Sequence, residues 1–318
     1  LRKPTASAAW KRWLSLQAYG LFTSTLFRAQ TAPGLLRARF ERFGRTSRES
    51  LQRKYPSVTF EDHWLGPLKL ESLRAAAAPR TVLMHLHGGA FVFGSIDSYR
   101  NRAMRLAHRL DAEVFVPDYR LAPEHRFPAA LEDVLLAYQY VRALRPHAPI
   151  IVTGDSAGGG LALSLLVRLR ELGEPMPAGA ILLSPWTDLS ASGASVHDNH
   201  LKDRWLERAH LEQWASYYAA DTDRCTPLMS PVFADLSGLP ALLVLVGQHE
   251  VLLDDAARVV SSATHSGTDA RLLVGARMQH DWPLTMPWLE ESRDAWRAMR
   301  RFVDEHCVCQ ARTRTVNI

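Results

Sequence analysis

Ile150-Ile151-Val152-Thr153-Gly154-Asp155-Ser156-Ala157-Gly158, continued by Leu161-Ala162-Leu163-Ser164-Leu165-Leu166-Val167, reads as a strand, a sharp turn and a helix. In a G-x-S-x-G turn the serine occupies a strained bend. Flanking glycines let strand and helix close around it, so its hydroxyl stands above the end of a parallel sheet. Serines between glycines also occur in ordinary loops, so the motif needs company.

Three further segments supply it, in chain order. His87-Gly88-Gly89-Ala90-Phe91 follows the apolar run Thr81-Val82-Leu83-Met84. Consecutive glycines let backbone N–H groups approach a developing oxyanion, each worth roughly 3 kcal/mol when aimed at it. With the N–H of Ala157, Gly88 and Gly89 are the expected oxyanion hole. Gly247 to Asp255 follows an apolar strand and offers acids, and Met278-Gln279-His280-Asp281-Trp282 follows a short one and offers a histidine. In such an order the histidine takes the serine proton and the carboxylate holds the imidazole in the useful tautomer.

With these motifs the chain resembles the hormone-sensitive-lipase family of α/β-hydrolases, which includes many bacterial carboxylesterases. The resemblance extends to Pro117-Asp118-Tyr119-Arg120-Leu121-Ala122-Pro123-Glu124-His125, to Leu183-Ser184-Pro185-Trp186-Thr187-Asp188-Leu189 and to Ser230-Pro231, spanning about residues 80 to 305. It implies Ser156 as nucleophile, His280 as base and Glu250 as the acid, with Asp254 as the rival acid. Three departures stand out: Ala90 where many members carry a third glycine, Glu250 where Asp is usual, and Asp281 where Gly often follows the histidine.

Short apolar segments at Thr81 to His87, Glu113 to Val116, Ile150 to Thr153, Ala178 to Leu183, Ala241 to Val246 and Arg271 to Val274 alternate with helical patterns such as Ala129 to Leu144 and Ala157 to Leu172. That alternation implies a parallel sheet with helices on both faces, its ligand site at the carboxyl ends of the strands. Val58 to Trp64 and Leu68 to Leu73, around Gly66-Pro67, read as an edge hairpin. The expected architecture is an α/β-hydrolase fold, a mostly parallel eight-stranded sheet with a helical cap. Residues 1–54 form the N-terminal cap helices, 55–189 and 230–318 the catalytic core, and 190–229 the cap insertion. The first piece carries Trp10, Trp13, Leu14, Leu16, Leu21, Phe22, Leu26 and Phe27 and is divided by Pro33-Gly34. The insertion carries Trp205, Trp214, Tyr217 and Tyr218, aromatics that serve a core as readily as a substrate wall.

The 318 residues are 47% hydrophobic, enough for a sizeable core, and no apolar run approaches the about 18 residues of a membrane span. A formal net charge of +5 is spread along the chain. Its densest group, Arg37, Arg39, Arg42, Arg45 and Arg48, reads as a solvated helix face rather than a nucleic-acid site. Cys225, Cys307 and Cys309 lack a zinc or C-x-x-C spacing and read as free thiols of a reducing cytoplasm. His85, His87, His197, His200 and His249 have no metal-ligand spacing, and His87 is expected to brace the oxyanion loop. No metal or organic cofactor is implied, a homodimer is left open, and the chain's natural start is open because it begins without Met.

These expectations converge on a serine esterase for short- to medium-chain acyl esters. Its rivals are an amide or aryl-acetamide hydrolase with the same residues, a lipase working at an interface, and a non-catalytic ligand receptor on the same fold. The presence of His280 speaks against the receptor.

Overall fold

The structure, a computed structural model, describes residues 31–75 and 79–313, with residues 10, 14–18, 20, 21 and 23; side chains beyond 307 are excluded. Of the aromatic-rich N-terminal stretch, Trp13, Phe22, Leu26 and Phe27 lie outside the described residues.

Eight strands form one sheet: β1 (Thr59–Leu65), β2 (Leu68–Arg74), β3 (Thr81–Leu86), β4 (Ala112–Pro117), β5 (Ile150–Asp155), β6 (Gly179–Leu183), β7 (Leu242–Gly247) and β8 (Ala270–Gly275). Their spatial order is β1-β2-β4-β3-β5-β6-β7-β8. β1 and β2 pair antiparallel, as does β2 with β4; from β4 to β8 every pair is parallel. The hairpin turns at Gly66, whose φ of 61° suits glycine. Strands β3 to β7 are buried along their whole length, which is why they read as largely apolar runs.

Helices α1 (Pro33–Gly44), α2 (Arg48–Lys54), α3 (Ile96–Leu110), α4 (Ala129–Leu144), α5 (Ala157–Leu172), α6 (Ser195–Asp198), α7 (Arg208–Ala219), α8 (Leu253–His265), α9 (Trp282–Thr285) and α10 (Glu290–Thr313) surround the sheet, with a 3-10 turn at Pro231–Phe233. Alternate strand residues feed two cores. Val82, Met84, Val152, Leu182 and Val244 pack with α4, α5 and α8, while Leu83, Ile151, Ile181 and Leu245 pack with α3 and α10.

The segment after Pro33 departs from a single second helix. It breaks at Arg45, and Ser47 starts α2 by accepting the N–H of Ser50 at 3.2 Å. The arginine face there is also more than solvated. Arg37 holds the carbonyls of Val92 and Ala122 and the carboxylate of Glu124, and Arg48 pairs with Asp62 and Glu71.

Strand order reverses between β3 and β5, because the chain leaves β3 toward β4 and returns on the other side. A crevice opens at the carboxyl ends of strands at such a switch point. Here those ends carry Leu86 to Gly89 and Asp155-Ser156. Among the described residues no helix is long and apolar enough to cross a membrane. Cys225 and Cys307 are free thiols.

Candidate active site

Ser156 sits between β5 and α5 with φ 54° and ψ −124°, a conformation costly for a residue with a Cβ. The turn is held by neighbours: Ser156 N–H donates to Leu183 O at 2.9 Å, and Ser156 O accepts from Trp186 N–H at 2.9 Å and Gly159 N–H at 3.0 Å. Gly158 is required by close approach, since a Cβ there would lie 2.1 Å from Leu86 O.

The residue before the serine ties the site together. Asp155 is buried; one carboxylate oxygen accepts Gly88 N–H at 3.1 Å and lies 3.3 Å from His85 Nε2, and the other accepts Tyr99 O–H at 2.8 Å. Burial would raise its pKa, but His85, Arg102 and Tyr99 hold the carboxyl below its ordinary range.

This contact corrects the expected oxyanion hole at one position. Gly88 N–H is spent on Asp155, so it is not aimed at a substrate oxygen. A Cβ on Gly88 would lie 2.5 Å from that carboxylate, so glycine here makes room for Asp155. Gly89, at φ 119°, does line the cavity beside Ser156, together with Ala90. His87 braces the loop from below: its Nδ1 meets Gly88 O at 2.7 Å and its ring stacks on Tyr119 at 4.2 Å. Burial pushes the His87 imidazole down to about 4, so it is neutral near pH 7.

Glu250 and His280 meet although 30 residues separate them. His280 Nδ1 lies 2.9 Å from Glu250 Oε2, both side chains being buried. The other oxygen of Glu250 accepts Ser184 O–H at 2.8 Å and a short hydrogen bond from Gly247 N–H. Asp254 is elsewhere, accepting Ser195 N–H at 2.9 Å.

Asp281 adds a second carboxylate on the far side of the imidazole, its Oδ2 3.3 Å from His280 Nε2. Burial alone would lower the pKa of His280, yet Asp281, Glu250 and Asp203 over-compensate and raise it to about 9. Burial pushes the Asp281 carboxyl up as well, against the pull of the His280 charge.

Ser156 and His280 face one cavity of about 20 Å³, roughly the space of one water molecule. Its walls include Phe40 from α1, Phe93 from the oxyanion loop, and Trp205, Leu206 and Trp214 from residues 190–229. Asp203 fixes the Trp205 wall by accepting the N–H groups of Trp205 at 2.8 Å and Leu206 at 3.0 Å. Burial pushes its carboxyl up to about 6, against the opposing pull of the His280 charge. Asp155, Ser184 and Asp203 had no functional reading from sequence. Only Ser184 carried a usable signal, a polar residue ending the apolar strand β6.

Comparison with known proteins agrees with this fold. A family profile described as the alpha/beta hydrolase fold matches residues 83–284. An acetyl-hydrolase of Streptomyces hygroscopicus is 39% identical over 232 residues, covering 73% of this chain and 78% of its own. An esterase of Acinetobacter venetianus is 35% identical over 243 residues, covering 76% and 80%. Among solved structures, EstE5 soaked with p-nitrophenyl butyrate superposes with a TM-score of 0.83 at 31% identity, covering 92% of this chain and 98% of that one. An esterase from the bacterial hormone-sensitive lipase family gives 0.83 at 32% identity, with 96% and 100% covered. The chain belongs to the α/β-hydrolases, in the hormone-sensitive-lipase family.

Proposed function

We propose that the chain is a serine carboxylesterase for short acyl esters, with Ser156, His280 and Glu250 as its catalytic triad. The observation that carries this reading is the Glu250–His280 contact at 2.9 Å beside a cavity that Ser156 shares. His280 takes the Ser156 proton as the hydroxyl oxygen attacks the ester carbonyl, then gives that proton to the leaving alkoxide as the C–O bond breaks. Water attacks the acyl-enzyme by the reverse path, returning the acid and free serine. Gly89 and Ala157 N–H groups stabilise the oxyanion, without Gly88.

Phe40, Trp205, Leu206 and Trp214 support a cap drawn from residues 1–54 and 190–229 over the core of 55–189 and 230–318. Relatives named acetyl-hydrolase and, in Pseudomonas putida, ethyl acetate hydrolase support small acyl groups. The free thiols of Cys225 and Cys307 suit a reducing cytoplasm.

A fluorophosphonate probe should label Ser156 alone, and Ser156→Ala should lose about 10³-fold or more in kcat against p-nitrophenyl acetate. Labelling at Ser184 or Ser230 instead would remove Ser156 from the nucleophile position. Faster turnover of a matched anilide than of the ester would turn the reading toward an amide hydrolase.

A further inference from the structure

A second cavity, of about 240 Å³, neighbours the first, and Arg102, Trp205 and Thr285 line both. Its remaining lining includes Asn101, Arg105 and Leu284, and no acidic residue. Arg102, Arg105 and Arg109 stand along one side of α3, at spacings of three and four residues.

Several half-buried arginines among the described residues are matched to carboxylates, as Arg48 is to Glu71, Arg145 to Glu113 and Arg258 to Asp188. Arg100, on α3 itself, holds Glu71 and Asp97. By contrast, Arg102, Arg105 and Arg109 pair with no carboxylate among the described residues, and residues 1–30 contain no Asp or Glu that could supply one. They are anchored instead by neutral groups. Arg102 lies over the Tyr99 ring at 4.5 Å and donates to Ser98 O at 3.3 Å. Arg105 donates to Leu284 O at 2.6 Å, and Arg109 lies over the Trp296 ring at 5.1 Å. Each guanidinium has five N–H donors, so Arg102 and Arg105 keep several for the cavity.

The charge of Arg102 is felt by Asp155 and Asp281, so it is compensated in part at longer range. That of Arg105 is not: burial, with Arg102 and Arg109 nearby, holds its pKa below the ordinary value. Beyond Arg105 a wider groove adds Lys54, His108 and Arg109. A half-buried cation with no counter-charge, beside a reactive serine, is costly unless a ligand completes it.

We infer that the ester substrate carries an anionic group at the end remote from its scissile bond, held by Arg102 and Arg105 while the carbonyl reaches Ser156. This rests on the esterase reading and extends it to the substrate class: a short acyl ester of a hydroxy acid or of a phosphorylated alcohol. Trp205 and Leu284 give the carbon chain between the two ends an apolar wall.

The test compares 4-acetoxybutanoate and 2-acetoxyethyl phosphate with neutral 4-acetoxybutanamide. At least one anionic ester should show a kcat/KM about tenfold or more above the amide, the size of one charge-assisted hydrogen bond. Which of the two leads identifies the anion. The ratio should fall toward one in Arg105→Gln and shrink at about 0.5 M salt. Equal turnover of all three, or a wild-type ratio in Arg105→Gln with an unchanged melting curve, overturns the inference and leaves the esterase reading intact. Loss of all ester turnover would overturn the esterase reading instead. Calorimetry then decides the anion site: Ser156→Ala protein should bind 4-hydroxybutanoate, and Ser156→Ala with Arg105→Gln should not. Equal binding by the two proteins overturns it.

Discussion

His280 Nε2 lies 3.3 Å from Asp281 Oδ2, so the nitrogen proposed to accept the serine proton already faces a carboxylate. Glu250 occupies the other nitrogen. Burial opposes the charged imidazole, but the flanking carboxylates outweigh it and the pKa rises to about 9.

Turnover needs the neutral imidazole, so kcat/KM should fall as pH drops below about 9 rather than below the about 6.5 of a free histidine. Asp281→Asn should move this acid limb down by about one pH unit or more, since it removes the first charge favouring the imidazolium. Stability follows the same proton. With the folded pKa raised, the imidazole's contribution is complete below about 6.5 and lost as pH rises through about 9. Rates from pH 5 to 10, with urea melts at both ends, check both statements. An identical acid limb in the variant would refute the role given to Asp281.

Glu250→Gln should cost about 10⁴ in kcat, as removal of a triad's orienting carboxylate does. Asp254→Asn should cost far less, because its carboxylate serves Ser195 N–H. Parallel kinetics on folded variants settle the ranking, and the reverse order would make Asp254 the acid.

Ser184 accepts Asp281 N–H at 3.0 Å and donates to Glu250 at 2.8 Å. It links the acid loop to the histidine loop. Ser184→Ala leaves a buried N–H without its partner and frees one side of Glu250, so kcat should fall about tenfold with little change in KM. A drop confined to KM, or none, would show that Ser184 only fills space.

Acyl-chain preference should peak between about two and eight carbons, each buried methylene adding about 0.8 kcal/mol until the chain meets a wall. The aromatic walls Phe93, Trp205 and Trp214 place the maximum at the short end of that range. Trp214→Leu should lengthen the preferred chain in a panel of p-nitrophenyl esters. An unchanged profile would show that Trp214 is not part of the limiting wall.

The strands and the serine turn were legible because doubly buried strands are largely apolar and the glycine spacing is sterically demanded. Helices α4 and α5 match their expected limits, closed by Arg145 and by Gly173 at φ 66°. The break at Arg45-Thr46-Ser47 was not legible, since the periodicity carries on across a cap only three residues long. Nor was the direction of Gly88 N–H. It depends on β3, the oxyanion loop and α3 converging on Asp155, and no local pattern encodes that meeting. The unpaired arginines of α3 were hidden for a related reason: a missing partner is visible only once neighbours are known.

Asp155 grips Gly88, His85 and Tyr99 while being bonded directly to Ser156. The Ser156 hydroxyl and the Gly88-Gly89 loop beside it are therefore referenced to a single point. Thermal drift moves them together, much as two lenses on one mount keep their spacing when the bench shakes. The segments carrying Phe40, Trp205 and Trp214 over the site can then lengthen or change their chemistry to suit a new ester without detuning that shared reference.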